Sequence, residues 1–509
     1  MKPAKHQALF LAALLCLLTL SRAAAQDGAA GVRQYREAHE AEIISEFVDL
    51  LAIPNVASDD VNIRRNAAKL IEMMSRRGIK AQLLEGGGPP AVFGELKTPG
   101  ATRTIGLYAH YDGQPVDASK WATDPFKPAL RTAATEAGGR VREFPKPGEK
   151  LDPESRIYAR SASDDKAPII AMLVALDALK AAGRTLTANL KFFFEGEEEA
   201  GSRHLEEMVN RNAALLSADV WICADGPVHQ TRRPLLYFGV RGVLSATITV
   251  YGATRALHSG HYGNWAPNPA MRLARLLASM KDEKGRVVVE GFYDDVVPLG
   301  EEEKKALGEM SANDAELMRE LGLAATDGGG RSLAELINEP SLNIDGLRSE
   351  YVGSEARTII PAEATATVDM RLVKGISPRR QLERLIAHIK KQGYTVVTDE
   401  PDRETRLKHP MIARVTSSDG YPAMRTSMAL PISKKIISAV EQAAGARVVL
   451  APTLGGSVPL WIFESATKAP QIGVPIVNHD NNQHASNENV RIKNLWDGIE
   501  VFAALMTMK

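Results

Sequence analysis

The chain has 509 residues, 44% of them hydrophobic and 24% charged, with 62 basic and 62 acidic side chains and a formal net charge of zero. That is the balance of a soluble globular protein too long for one ordinary core, so two domains are expected. A neutral chain lacks the bulk basic surface of a nucleic-acid binder, and no such partner is expected.

Lys2 and Lys5 precede an apolar run from Ala8 to Leu20, and Ala23-Ala24-Ala25 follow. Positive n-region, short apolar run and small-residue site read as a cleavable secretory signal over residues 1–25 and a secreted or periplasmic mature protein. An uncleaved anchor is the alternative, but the run is too short for a comfortable span, so no stable membrane span is expected after signal removal. Removal also takes Cys16, leaving Cys223 the only thiol and no intrachain disulfide. Cys223 sits in the apolar run Val220-Trp221-Ile222-Cys223 and reads as packing.

A helix is expected from about Val32 to Ala52, closed by Pro54, and a second from Asn62 to Arg77, with Ile63, Ala67, Leu70 and Met74 on one face. Strands then alternate with helices: Thr104 to Tyr108, a helix after Lys166, Leu190 to Phe194, a helix through Leu205, and Asp219 to Cys223. Such alternation argues for an α/β domain over residues 30–240, a sheet covered by helices on both faces. From 241 to 425 the character changes. Strands at Gly242–Tyr251 and Ala364–Val373, helices at Pro267–Ser279 and Pro378–Lys391, and a final strand at Thr395–Thr398 suggest a smaller inserted strand-helix-strand domain. Its charged stretch Lys281–Pro340 includes Glu301-Glu302-Glu303-Lys304-Lys305, read as a solvated helix face. Residues 426–509 return to the first domain with a helix to Ala444.

Five places carry residues suited to chemistry. His110-Tyr111-Asp112 ends a strand, where residues i and i+2 share a side, so His110 could take a metal while Asp112 orients its other ring nitrogen. Ser163-Asp164-Asp165-Lys166 opens a helix whose N-terminus offsets carboxylate charge; a simple N-cap fits equally. Glu195-Gly196-Glu197-Glu198-Glu199 follows an apolar strand. Adjacent carboxylates in a partly buried site call for cations, although a solvated acidic turn has the same pattern. Asp225 ends a further strand, and His484 lies in a polar C-terminal loop. Each alone is weak.

Taken in order, these pieces, with Ala200-Gly201-Ser202 after the glutamates, closely resemble the M20 family of metallopeptidases and amidohydrolases. The resemblance implies a mixed-sheet catalytic domain with an inserted ferredoxin-like α+β domain serving as lid and dimerisation unit. It implies two metal ions, usually zinc, with manganese or cobalt possible. Asp164 would bridge them, His110 and Asp225 completing one shell and Glu199 and His484 the other. Glu198 would be the general base and Asp112 the partner of His110. Leu257-His258-Ser259-Gly260-His261-Tyr262-Gly263 is similar to the loop of the dipeptidase branch that includes carnosinases. There the first histidine stabilises the reacting carbonyl across a homodimer, a role this assigns to His258. Thr358 and Arg371 also match that branch, Arg371 as a bidentate partner for a substrate carboxylate. Gly455-Gly456-Ser457 is similar to the family's carboxylate loop, giving Gly456 and Ser457 as further substrate contacts. Ala167 stands where the family usually has glycine. Leu454 stands where the branch tends to carry an acid able to receive a free substrate amine. The implied function is hydrolysis of dipeptides or short peptides by a homodimer. An amidohydrolase or carboxypeptidase acting on N-acyl amino acids is the runner-up, and a non-catalytic metal or peptide binder the remote rival.

Overall fold

The computed structural model of the chain describes residues 30–310 and 314–509. The expected signal segment, 1–25, lies outside them. The described chain divides into two compact units. The first runs to Leu236 and takes back Met428–Leu450 and Ile462–Lys509; the second is Tyr237–Ser427 with Ala451–Trp461. The sequence reading put all of 426–509 in the first domain. Ala451–Trp461 groups instead with the second unit, where Phe238 N donates to the Ala451 carbonyl and Arg241 N to that of Gly456.

The first unit is built on an eight-stranded mixed sheet. Its strands lie in the order Lys80–Leu84, Ala91–Leu96, Asn189–Glu195, Thr104–His110, Val220–Cys223, Gln471–Gly473, Leu235–Tyr237 and Val449–Ala451. The middle strands are parallel, with His110 paired to Glu195 and Tyr108 to Cys223. Parallel strands buried on both faces read as continuous apolar runs, and Leu190, Phe192, Phe193, Phe194, Val220, Ile222 and Leu107 are fully buried. Gly106 is required by close approach: a Cβ there would lie 2.2 Å from the Trp221 ring. The same register brings His110, the residues after Glu195, and Asp225 to one end of the sheet, the carboxyl end where α/β proteins hold ligands.

Helix Lys166–Ala181 is buried along most of its length and packs on the C-terminal helix Ile492–Thr507. The expected helix from Val32 to Ala52 is interrupted at His39, beyond which Glu40–Leu51 continues. Among the described residues no helix is long and apolar enough to cross a membrane, and Cys223 is buried.

The second unit carries a five-stranded sheet, in the order Ser341–Arg348, Glu363–Leu372, Gly242–Tyr251, Ile412–Ser417, Thr395–Val397. Gly242–Tyr251 and Glu363–Leu372 alternate inward and outward. Their inner residues, among them Leu244, Ile248, Val368 and Met370, pack against Leu273, Leu276, Leu385 and Ile389 of helices Pro269–Ala278 and Pro378–Lys391. Without the short Thr395–Val397 strand, element order and strand order are those of the split βαβ, ferredoxin-like motif. Two strands of this sheet escaped the sequence reading. Ser341–Arg348 buries only Leu342 and carries a bulge after Ile344, so it shows no period of two. Ile412–Ser417 lies parallel to Thr395–Val397, which is therefore not the last strand. The run at 301–305 is not wholly solvated: helix Glu301–Met310 buries Glu303, Ala306 and Leu307.

Candidate active site

Three strand ends, one helix start and one loop converge in the first unit. His110 is fully buried, with Nε2 2.9 Å from Asp164 Oδ1. Its Nδ1 lies 3.2 Å from the Asp112 carbonyl and 3.4 Å from Asp112 Oδ1. Asp112 therefore faces the ring nitrogen turned away from Asp164. It also accepts from Glu198 N at 3.1 Å on one carboxylate oxygen and from Glu199 N at 3.0 Å on the other. One buried carboxylate thus fixes both the histidine and the short 3₁₀ turn Glu198–Ala200.

That turn follows Gly196, where a Cβ would lie 2.5 Å from Tyr111 Oη and 2.8 Å from the Pro90 carbonyl. No side chain fits there, which is the local reason the glutamate run is broken by glycine. Asp165 occupies the N-cap position of helix Lys166–Ala181 but makes no side-chain capping bond. Asp164 does not cap either. Its Oδ2 lies 3.1 Å from His484 Nε2, and the same nitrogen is 3.2 Å from Glu199 Oε2.

The ligand atoms form two groups, His110–Asp164–Asp225 and Asp164–Glu199–His484, each with all atoms within 4.8 Å of one another. Asp164 belongs to both. The donors are imidazole nitrogens and carboxylate oxygens, the set that zinc, manganese and cobalt accept. Glu199 Oε1 is buried with no hydrogen-bond partner, and so is Asp165 Oδ1.

The electrostatics of the metal-free protein point the same way. Burial, reinforced by Asp164, raises Glu199 to about 7 and Asp225 to about 6. The bond to Asp164 raises His484 to about 9 against burial. Burial opposes ionisation of Asp164, but bonds from His110 and His484 hold it well below the usual carboxylate range. Burial also raises Glu198 well above that range, with His110 opposing and Asp225 adding to the rise. Crowded acids that share protons and histidines for want of positive charge suit a pair of divalent cations. These residues fit such a pair.

The remaining predicted residues lie in the second unit. His258 is exposed and its Nδ1 accepts from Gly260 N at 3.0 Å, so its proton is on Nε2. The Thr358 carbonyl accepts from Ser259 N. Arg371 donates to Ser457 Oγ at 3.0 Å and to Asp369 Oδ2 at 3.1 Å, bringing two predicted substrate residues together. Gly456 uses its carbonyl on Arg241 N, and Leu454 N donates to Gly239 O at 2.8 Å.

Residues 106–508 match the model of peptidase family M20/M25/M40. The chain belongs to that family. It is 26% identical to the Cys-Gly metallodipeptidase dug1 of Schizosaccharomyces pombe, over 91% of this chain and 94% of that protein. It is also 26% identical to the Beta-Ala-His dipeptidase of Homo sapiens, over 93% and 91%. Among solved structures, the M20 metallo-carboxypeptidase Sso-CP2 of Sulfolobus solfataricus matches with TM-score 0.73 and 28% identity, covering 92% of this chain and 99% of that one. Several polar residues of this M20 chain's site carried no sequence signal. Gln114 Nε2 donates to Glu199 Oε2 at 2.7 Å from a loop without periodicity. Arg160 and Glu488 meet across more than 300 residues, at 2.8 Å. Lys166 is fully buried and donates to the Leu50 and Ile53 carbonyls, a use that its motif did not foretell.

Proposed function

We propose that the protein is a metal-dependent peptidase that hydrolyses dipeptides or short peptides, with two zinc ions held by His110, Asp164, Asp225, Glu199 and His484. The observation that carries this is the pair of ligand groups sharing Asp164, with Glu198 in the turn that Asp112 fixes. When bound, the cations supply Lewis-acid polarisation of the scissile carbonyl and make water more acidic.

The chain's own residues do the rest. Glu198 takes a proton from the attacking water as its oxygen adds to the carbonyl carbon. It returns that proton to the leaving nitrogen as the C–N bond breaks. Asp112 keeps the ring of His110 in one orientation and the backbone of Glu198 and Glu199 in place. His258, proton on Nε2, donates to the developing oxyanion across a homodimer. Arg371 and Ser457, aided by Thr358 and the Gly456 backbone, hold the substrate's terminal carboxylate. Support comes from the two dipeptidase relatives and from the Arg371–Ser457 pairing. The lysines and apolar run before Ala25 support a secreted or periplasmic protein.

A second reading, a carboxypeptidase or an amidohydrolase of N-acyl amino acids, is favoured by Leu454, which offers no charge to a free amine, and by the likeness to a carboxypeptidase. A matched pair decides between them: a free-amine dipeptide and its N-acetylated counterpart, incubated with zinc-loaded protein and followed by mass spectrometry. Faster cleavage of the free dipeptide is expected. Preference for the blocked substrate would move the protein to the second reading.

A further inference from the structure

Glu488 lies four residues beyond His484 and is completely buried, yet no step above uses it. Its carboxylate accepts five hydrogen bonds. One oxygen takes Ser163 N at 2.9 Å, Ser163 Oγ at 2.8 Å and Asp164 N at 2.9 Å. The other takes Ser161 N at 2.8 Å and Arg160 Nη1 at 2.8 Å. Arg160 supplies the compensating charge and uses its other terminal nitrogen on the Ala485 carbonyl at 3.2 Å, next to His484. The Trp121 ring covers this guanidinium, 5.1 Å away.

The backbone on both sides of this carboxylate needs holding. Ser161 and His484 both adopt φ of 60°, a left-handed conformation that residues with a Cβ rarely enter and that surrounding contacts must maintain. Glu488 binds the amide of Ser161 directly and sits in the same loop as His484. The two ligand-bearing segments, 161–164 and 484–488, are thus tied at one point, on the side of Asp164 that bears its amide. The carboxylate of Asp164 remains for His110 and His484.

We propose that Glu488 is a positioning residue that sets the Asp164 turn and the His484 loop in mutual register for the cation pair. This rests on the metallopeptidase reading. Glu488→Gln tests it, because an amide has one oxygen and must turn its NH2 toward donors on one side or the other. Glu488→Asp keeps the charge on a shorter arm. Chelator-stripped wild type and variants are titrated with zinc against a chromophoric chelator, and the cobalt-substituted forms are compared by absorption.

Glu488→Gln should bind zinc about 10- to 100-fold more weakly, as loss of a group that orients metal ligands commonly does. Its cobalt spectrum should change. At fixed zinc kcat should fall and recover as zinc is raised, with KM for the peptide unchanged, and Glu488→Asp should lie between. Wild-type zinc affinity in a folded Glu488→Gln, or an activity loss that zinc does not restore, overturns the proposal. If that variant does not fold, Ser163→Ala decides: it removes one donor and should weaken zinc a few-fold, roughly the worth of one such bond. Unchanged affinity there overturns the proposal. A wild-type protein that takes up no zinc overturns the functional reading instead.

Discussion

Asp112→Asn is the substitution whose effect is best worked from the structure. The carboxylate receives Glu198 N on one oxygen and Glu199 N on the other, at 3.1 and 3.0 Å, and faces His110 Nδ1 at 3.4 Å. An asparagine has the same shape but one oxygen, so its NH2 must point at one of those backbone N–H groups. One hydrogen bond to a charged acceptor is then lost and two donors are opposed. Bonds to charged groups contribute about 1.5–3 kcal/mol, which corresponds to roughly 10- to 100-fold in an equilibrium constant. The loss should fall on the turn that carries Glu198 and Glu199 and on the orientation of His110. Zinc affinity by chelator competition, and kcat at saturating zinc, should therefore both drop within that range. KM for the dipeptide should stay within about twofold, because Asp112 makes no substrate contact in this account. A folded Asp112→Asn protein with wild-type zinc affinity and kcat would refute the reasoning.

Other outcomes follow from the same site. Glu198→Ala should lower kcat by about 10²–10⁴-fold, the usual worth of a positioned proton-transfer group, while metal analysis still finds the wild-type zinc content; surviving hydrolysis would remove Glu198 as the base. Zinc binding should release protons. In the metal-free protein Glu199 titrates at about 7, Asp225 at about 6 and His484 at about 9, so at pH 6 these ligands hold protons that binding must displace. Affinity should then weaken as pH falls below about 9, where His484 takes up its proton, and more steeply below about 7 as Glu199 and then Asp225 follow. Calorimetry at pH 6 in buffers of different ionisation enthalpy should show net proton release, and no release would contradict the assignment. Arg371→Lys keeps the charge but loses the fork, and should raise KM about tenfold with little change in kcat, since one bidentate contact becomes a point contact.

What could be read from the sequence was what lies contiguous in it. His110 and Asp112, the glutamate turn and Asp164 each stand at one end of an element whose apolar run announces it, so both the element and the polar position flanking it were visible. His484 was visible only through its resemblance to a known family pattern, since a polar loop has no periodicity. Gln114, Arg160 and Glu488 act through contacts between distant segments, and nothing local marks them. In the second unit the inner faces of Gly242–Tyr251 and Glu363–Leu372 alternate clearly and were found. The edge strand Ser341–Arg348 buries one side chain and could not be, because its pairing with Glu363–Leu372 is what makes it a strand. Glu303 shows the limit of a charge pattern: the run around it is acidic, but burial is decided by what packs against the helix.

The most direct test is a zinc titration of chelator-stripped protein, with hydrolysis of a free-amine dipeptide followed at each addition. The account predicts negligible activity without metal and a rise that reaches its plateau at about two equivalents per chain, the number of ligand groups that share Asp164. Full activity in the stripped protein, or a plateau at one equivalent, would contradict it.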